Sequence, residues 1–203
     1  MVRCRCGAGW VGIEAARLGA QASAFDPSPE MVRIASDNAA AEGVELDARV
    51  GFVEDVPFDE PFELVLNSGV ISFAPDADAY LDSLDALVAP GGTLVIGDLN
   101  PLARGFRRRR RRPLLPAREL NGIARNEVEA RLTKRGYVCD GRWFYQLSFP
   151  IPEMMTLSEQ RWSGFGCGLA LLANKAATQL DHALGSSMAG QFDSWILRLR
   201  KPG

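Results

Sequence analysis

The chain has 203 residues, 47% of them hydrophobic and 24% charged, with a formal net charge of −2. That length suits a single domain with a full core, and the composition excludes a disordered, collagen-like or membrane-spanning chain. Cysteines at 4, 6, 139 and 167 and the lone His182 form no paired metal-ligand cluster, so no metal site is expected.

The small net charge conceals an asymmetry. Residues 1–100 hold 17 acids and 5 bases, whereas residues 101–203 hold 8 acids and 18 bases. Such a split permits an anionic partner for the second half. The start, MVRCRCGAGW, lacks the apolar core of a signal peptide, and the longest apolar runs, such as Leu169 to Ala173, are too short to span a bilayer. A cytoplasmic protein is the expectation.

Residues 2–6 read as a first strand because a glycine turn, Cys6-Gly7-Ala8-Gly9-Trp10-Val11-Gly12, follows at once. Arg3 and Arg5 are unusual there, since a central parallel strand is nearly all apolar. A chain start displaced from the true one accounts for both arginines and for the missing leading helix. A helix then runs from Trp10 to Leu18 and stops at Gly19, and Ala22 to Phe25 forms strand two. Asp26 follows, nineteen residues past Gly7, the spacing at which an acid in such a unit reaches a ribose diol. Ser28 caps the next helix, with Pro29 at its first position and Glu30 in its first turn. Strand three lies within Leu46 to Val53 and strand four is Phe62 to Leu66, ending at Asn67-Ser68-Gly69. A helix over Asp78 to Val88 leads to an Ala89-Pro90-Gly91-Gly92 turn and to strand five, Thr93 to Ile96.

Beyond Asp98 the character changes. A proline-bounded loop over 100–116 holds six successive arginines, Arg107 to Arg112. A helix within Ala117 to Arg135 turns Val128 and Leu132 inward, and Tyr137 to Phe149 carries an aromatic-rich strand. Thr156 to Leu184 reads as mainly helical, interrupted by a hinge at Gly164 to Gly168. Gln191 to Arg200 alternates as a half-buried strand.

Alternating strands and helices give an α/β fold with an open, mostly parallel sheet and helices on both faces. Its ligand crevice lies at the carboxyl ends of the strands. Gly7, Gly9, Asp26, Phe52 and Asn67 all fall at those ends.

Four ordered blocks, CGAGWVG, FDPSPEMVRIA, EDVPFDEPFELVL and LVAPGGTLVIGDLNP, resemble those of the class I S-adenosylmethionine-dependent methyltransferases of small-molecule type. The resemblance covers about residues 4–100. It implies a Rossmann-like sheet with an antiparallel last strand and a helical insertion before it. It also implies one domain over 1–203, with cofactor binding in 1–100 and a basic loop, helical cap and terminal strands in 101–203. The cofactor is then S-adenosylmethionine, held by Cys6, Gly7, Gly9, Asp26, Pro27, Met31, Phe52, Val53, Asn67 and Ser68. Gly7 and Gly9 pass the methionine portion, Asp26 takes the ribose hydroxyls, and Pro27 and Met31 lie beside the adenine or ribose. Phe52 packs on the adenine with the Val53 N–H on a ring nitrogen, and Asn67 and Ser68 face the methionine end and the acceptor. Three positions depart from the family pattern: Arg3 replaces an acid, Arg5 replaces the first glycine, and Phe52 replaces an acid that serves the adenine.

The expected function is methyl transfer to a small apolar or aromatic acceptor, with an anionic one favoured by the basic loop. Two alternatives stand beside it: a methyltransferase-like scaffold with impaired cofactor binding, and a nucleic-acid methyltransferase led by Arg107 to Arg112. No catalytic residue is assigned. Asp98 is the best-placed carboxylate for a base, and equally a polar strand-end residue capping a turn. His182 is better read as a solvated or packed histidine. Trp143, Phe144, Tyr145 and Trp162 line an acceptor pocket or belong to the core, and strand alternation sends about half of them inward. Oligomeric state is left open.

Overall fold

The computed structural model describes residues 2–4, 6–103, 122–147 and 164–203. Arg5, the Arg107–Arg112 run and Trp162 lie outside the described residues. Seven strands are present: β1 (Val2–Cys4), β2 (Ser23–Asp26), β3 (Asp47–Val50), β4 (Phe62–Ser68), β5 (Val88–Leu99), β6 (Val138–Leu147) and β7 (Phe192–Arg200). The helices are α1 (Trp10–Arg17), α2 (Pro29–Ala41), α3 (Ala77–Leu87), α4 (Arg125–Lys134) and α5 (Gly164–Ala183).

The helix starts follow local chemistry. Ser28 Oγ accepts from the Met31 N–H at 3.4 Å, with Pro29 at the first helical position, where its missing N–H costs nothing. The Asp76 carboxylate accepts from the Asp78 and Ala79 N–H groups at 2.8 and 3.1 Å. By contrast, α1 begins at Gly9 in the left-handed region with no side-chain cap.

All strands join one sheet in the order β3-β2-β1-β4-β5-β7-β6. Every pairing from β3 to β5 is parallel, and β7 is antiparallel to both of its neighbours. The order reverses between β1 and β4, which creates a crevice at their carboxyl ends. The main core lies on the face covered by α3 and α4, where Val65, Leu84, Leu94, Ile96, Leu132, Trp195 and Leu197 are all buried. Trp195 Nε1 donates to the Leu99 and Ile123 carbonyls, both at 3.1 Å, so one indole fastens the entry of α4 to the end of β5.

Helix α5 guards the sheet edge. Asn174 Oδ1 accepts from the Leu147 N–H at 2.9 Å, and His182 Nδ1 lies 3.1 Å from the Arg142 carbonyl oxygen. The imidazole also stacks on Trp143, with ring centroids 5.8 Å apart. These contacts occupy backbone groups of β6 that would otherwise invite another strand.

Three expectations are corrected. Gly164 to Gly168 is no hinge: the helix runs unbroken from Gly164 through Ala183 despite the weak helix preference of glycine. Ala89 to Gly92 is not a turn ahead of strand five but a bulge inside it. Phe62 pairs with Val88 and Leu64 with Thr93, and the extra residues loop out through Gly91 at φ 74°. The bulge is tied down by the Gly91 N–H to the Pro202 carbonyl and the Lys201 N–H to the Gly92 carbonyl. Finally, β7 is half-buried only toward its end. Phe192, Asp193, Ser194 and Trp195 are all buried, because the segment between α5 and β7 covers the second face there.

Part of the charge asymmetry is internal. Arg131 pairs with Asp78, Arg135 Nε reaches Asp82 at 2.8 Å, and Lys201 Nζ reaches Asp85 at 3.0 Å. The acidic outer face of α3 thus meets the basic end of α4 and the chain terminus. Tyr137 donates its hydroxyl to Asp85 at 2.8 Å, and burial together with that carboxylate pushes its pKa well above the usual tyrosine value.

Trp195→Phe leaves two carbonyls without their indole donor and a cavity where the second ring stood. A loss of about 1–3 kcal/mol is expected, seen as a lower urea midpoint at unchanged slope.

Candidate functional site

The site begins with a backbone problem. β1 leads straight into the turn at Gly7, whose φ of 53° puts its N–H inward toward β2. Asp26, the last residue of β2 and only 4% exposed, answers it: one carboxylate oxygen accepts from the Gly7 N–H and the other from the Ser28 N–H, each at 3.0 Å. The same carboxylate therefore pins the glycine turn and the start of α2. Asn38 on α2 adds a second fastening, donating from Nδ2 to the Ala8 carbonyl at 2.9 Å.

The three glycines do different work. A Cβ on Gly7 would meet nothing within 4 Å, so this turn faces open space. A Cβ on Gly9 would lie 2.9 Å from Ala35 Cβ, and one on Gly12 would lie 2.8 Å from Leu46 Cδ1. Gly9 is thus demanded by its left-handed φ and the close approach of α2, whereas at Gly12 the neighbour is the movable end of the Leu46 side chain.

The remaining sequence-chosen residues fall into two groups. Cys6, buried, bonds through its N–H to the Phe25 carbonyl at 3.0 Å, and the Gly51 N–H bonds to the Asp26 carbonyl at 3.2 Å. These links gather Cys6, Gly7, Gly9, Asp26, Pro27 and Met31 at one corner, with Phe52 and Val53 just beyond Gly51. Phe52 is 57% exposed, leaving its ring free to cover a ligand. The second group sits one strand away, where Asn67 pairs in register with Cys4. Its side chain is buried and donates from Nδ2 to the Tyr80 hydroxyl at 2.6 Å, while its Oδ1 has no partner among the described residues. Ser68 is half-buried on the opposite face of β4.

Asp98, 2% exposed, accepts from the Ser72 N–H at 2.9 Å and the Leu99 N–H at 2.6 Å. It therefore ties the turn after β4 to the end of β5, which matches its reading as a strand-end cap. His182 is exposed and packed on Trp143, away from this corner. Of the aromatic strand, Phe144 is buried and Trp143 and Tyr145 are half-buried. No cluster of metal-ligating side chains exists among the described residues. Asn38, Tyr80 and Ser72 had no signal in the sequence, because each acts through one contact set by the fold.

Comparison with known proteins fits this geometry. Residues 3–92 match the family described as a methyltransferase domain. Those 90 residues, a little under half of the chain, resemble a class I methyltransferase domain. The ubiquinone biosynthesis O-methyltransferase of Xanthomonas euvesicatoria pv. vesicatoria is 36% identical over 103 residues, half of this chain and 43% of that protein. The chain thus aligns with less than half the length of this curated relative. Among solved structures, magnesium protoporphyrin IX methyltransferase from Synechocystis PCC 6803 with bound SAH superposes with a TM-score of 0.66 at 16% identity. That overlap covers 98% of this chain and 73% of the other. The cyclase SpnF superposes with a TM-score of 0.65 at 19% identity, covering 99% of this chain and 74% of its own. Likeness at such identity speaks for the fold alone.

The cofactor of a class I methyltransferase is S-adenosylmethionine, and the corner fits it. Gly7 offers open space where a side chain would intrude, and α1 begins uncapped, with the positive end of its dipole toward that space. Each Asp26 oxygen accepts one backbone N–H and keeps further lone-pair capacity for a diol. Across the described residues, no helix is long and apolar enough to cross a membrane.

Gly9→Ala is expected to destabilise the chain by about 1–3 kcal/mol, from the left-handed φ and the Ala35 contact, read by thermal or urea melting. Asp26→Asn swaps one acceptor for a donor aimed at a backbone N–H. It is expected to weaken S-adenosylhomocysteine binding at least tenfold by calorimetry, with the melting midpoint also lowered.

Proposed function

We propose that the chain binds S-adenosylmethionine at the Gly7–Asp26 corner and transfers its methyl group to an oxygen of a small apolar or aromatic acceptor. The observation that supports this best is the Asp26 carboxylate shared between Gly7 and Ser28 at the switch point of the sheet. When bound, the sulfonium supplies an activated methyl group, which leaves the protein to position the partners and exclude water. Asp26 orients the ribose diol. The Gly7 turn and the first turn of α1 receive the amino-acid end, Pro27 and Met31 flank the ribose, and Phe52 and Val53 close over the adenine. Asn67 and Ser68 mark the acceptor side. An oxygen acceptor is adopted because the aligned relative is named an O-methyltransferase.

No base is assigned in this reading; Asp98 ties the turn after β4 to the end of β5 through the Ser72 and Leu99 N–H groups. An acidic hydroxyl gives its proton to solvent and reacts as the oxyanion: the S–CH3 bond breaks as the O–CH3 bond forms, with proximity and in-line alignment supplied by the protein.

Two measurements test the reading. Titration with S-adenosylhomocysteine should release heat and saturate at one site per chain. Incubation with methyl-labelled S-adenosylmethionine and a panel of phenols should move label into an acceptor at a rate that Asp26→Asn lowers at least tenfold. Absence of heat at millimolar ligand would turn the reading toward a scaffold that keeps the fold without the cofactor. Label in RNA or DNA, lost as salt is raised, would turn it toward a nucleic-acid acceptor.

A further inference from the structure

Arg125, the first residue of α4, is unusual among the described arginines. Arg131 and Arg135 pair with acids of α3, and Arg142 is held by both oxygens of Glu129 at 2.9 Å from its Nε. Arg125 is half-buried, and among the described residues no carboxylate forms an ion pair with it. Its guanidinium lies over the Phe144 ring, 4.3 Å from the centroid, and donates from one nitrogen to Ser186 Oγ at 3.2 Å. A guanidinium carries five N–H donors in a planar fork, so most of its capacity is unspent. It also stands at the helix end where the dipole disfavours a cation. Burial lowers its pKa from the ordinary arginine value, opposed by Glu129 and, more weakly, by Asp181, with Arg142 working against its charge.

Its position in the sheet is defined. Ile123, two residues earlier, is fastened through Trp195 to Leu99, the last residue of β5. Phe144 registers with Trp195, and Trp195 registers with Asp98. The guanidinium is therefore at the carboxyl end of the sheet, the same end as Gly7, Asp26 and Asn67. The Ser186 hydroxyl is presented by a fixed support. Ser186 sits at φ 65°, a strained value for a residue with a side chain. It is locked there by its N–H to the Asp181 carbonyl at 2.8 Å, while the buried Asp181 carboxylate accepts from the Met188 N–H at 2.7 Å. A strained, pinned loop holding a half-buried, unpaired guanidinium beside an aromatic ring is a preorganised receptor for a planar oxyanion.

We propose that Arg125 recognises a carboxylate on the acceptor, which makes the acceptor an aromatic acid. Phe144 supplies the ring face and Ser186 fixes the fork. The placement rests on the methyl-transfer reading above. Three strand spacings separate β4 from β6, about 14 Å at the usual interstrand distance, so the acid group lies well away from the atom that takes the methyl. The acceptor is accordingly elongated, with its acid at the β6 side and its nucleophile in front of β4.

The test uses the whole chain, isotopically labelled so that the arginine Nε–H signals are resolved, with benzoate as the probe and benzyl alcohol as its neutral counterpart. Benzoate should shift the Arg125 signal saturably at millimolar concentration, and benzyl alcohol should not. Arg125→Met, which keeps an apolar stem on Phe144, should weaken benzoate binding at least tenfold and leave S-adenosylhomocysteine affinity within twofold. An Arg125 signal unmoved by benzoate, an equal response to benzyl alcohol, or equal benzoate affinity in Arg125→Met would overturn the assignment. The signal titration is made on the unaltered chain, so it decides the matter even if the variant does not fold. S-adenosylhomocysteine binding is read separately: its failure strikes the methyl-transfer reading, whereas failure of benzoate strikes Arg125 alone.

Discussion

The arrangement depends on one buried carboxylate doing two backbone jobs. Asp26 is a charge taken almost wholly out of water, which is tolerable only because each oxygen accepts an N–H at 3.0 Å. One N–H belongs to the turn that ends β1 and the other to the residue that caps α2. The carboxylate thus converts three separate pieces of chain into a rigid corner at the place where the strand order reverses. Nothing about a ligand is needed to explain it, and a ligand site follows from it. The geometry that satisfies Asp26 also leaves Gly7 facing open space, with the bare start of α1 beside it.

This is why the first hundred residues were so legible. A left-handed turn needs glycine, a helix start needs a serine or aspartate, and a parallel strand ends where its apolar run ends. Each of those rules is local, and each leaves a mark at fixed spacing: Gly7 to Asp26 and Ser28 to Met31. The marks did not reveal which partner each feature answers to. Gly9 is packed against Ala35 of α2, and the Asn67 amide donates to Tyr80 thirteen residues later; neither contact is marked in the sequence. Residue type is visible in a sequence; the atom waiting opposite is a property of the fold.

Where the signals were composite, the reading failed for a physical reason. Pro90-Gly91-Gly92 has the residues of a turn, yet it lies within a strand, because sheet pairing on both sides of a bulge outweighs a local bend. Gly164, Gly166 and Gly168 have the residues of a hinge, yet they open a helix of 20 residues. The charge asymmetry permits an outside anion, and part of it is answered inside. Asp78, Asp82 and Asp85 on α3 meet Arg131, Arg135 and Lys201 from the second half. Asp78 and Asp82 are exposed and their pairs are screened, so each adds little stability, while Lys201–Asp85 is half-buried. Their effect is better described as registry: they accept one docking of α4 against α3 and penalise others.

The two ends of the second half are then joined at the same level as the corner. Asn100 donates from Nδ2 to the Ala189 and Phe192 carbonyls at 2.8 and 2.9 Å, and its Oδ1 accepts from the Leu102 N–H. It is itself 1% exposed. One amide therefore fixes the exit of β5 to the segment that leads into β7, beside the loop that presents Ser186. The consequence is a division of labour along the carboxyl edge. On the β1–β2 side the backbone is held by a carboxylate and offers N–H groups and open space. On the β7–β6 side it is held by an amide and an indole, and it offers a guanidinium on an aromatic ring. The carboxyl edge thus carries an acceptor and free backbone N–H groups at one end and a cation at the other, with the sheet fixing the spacing between them.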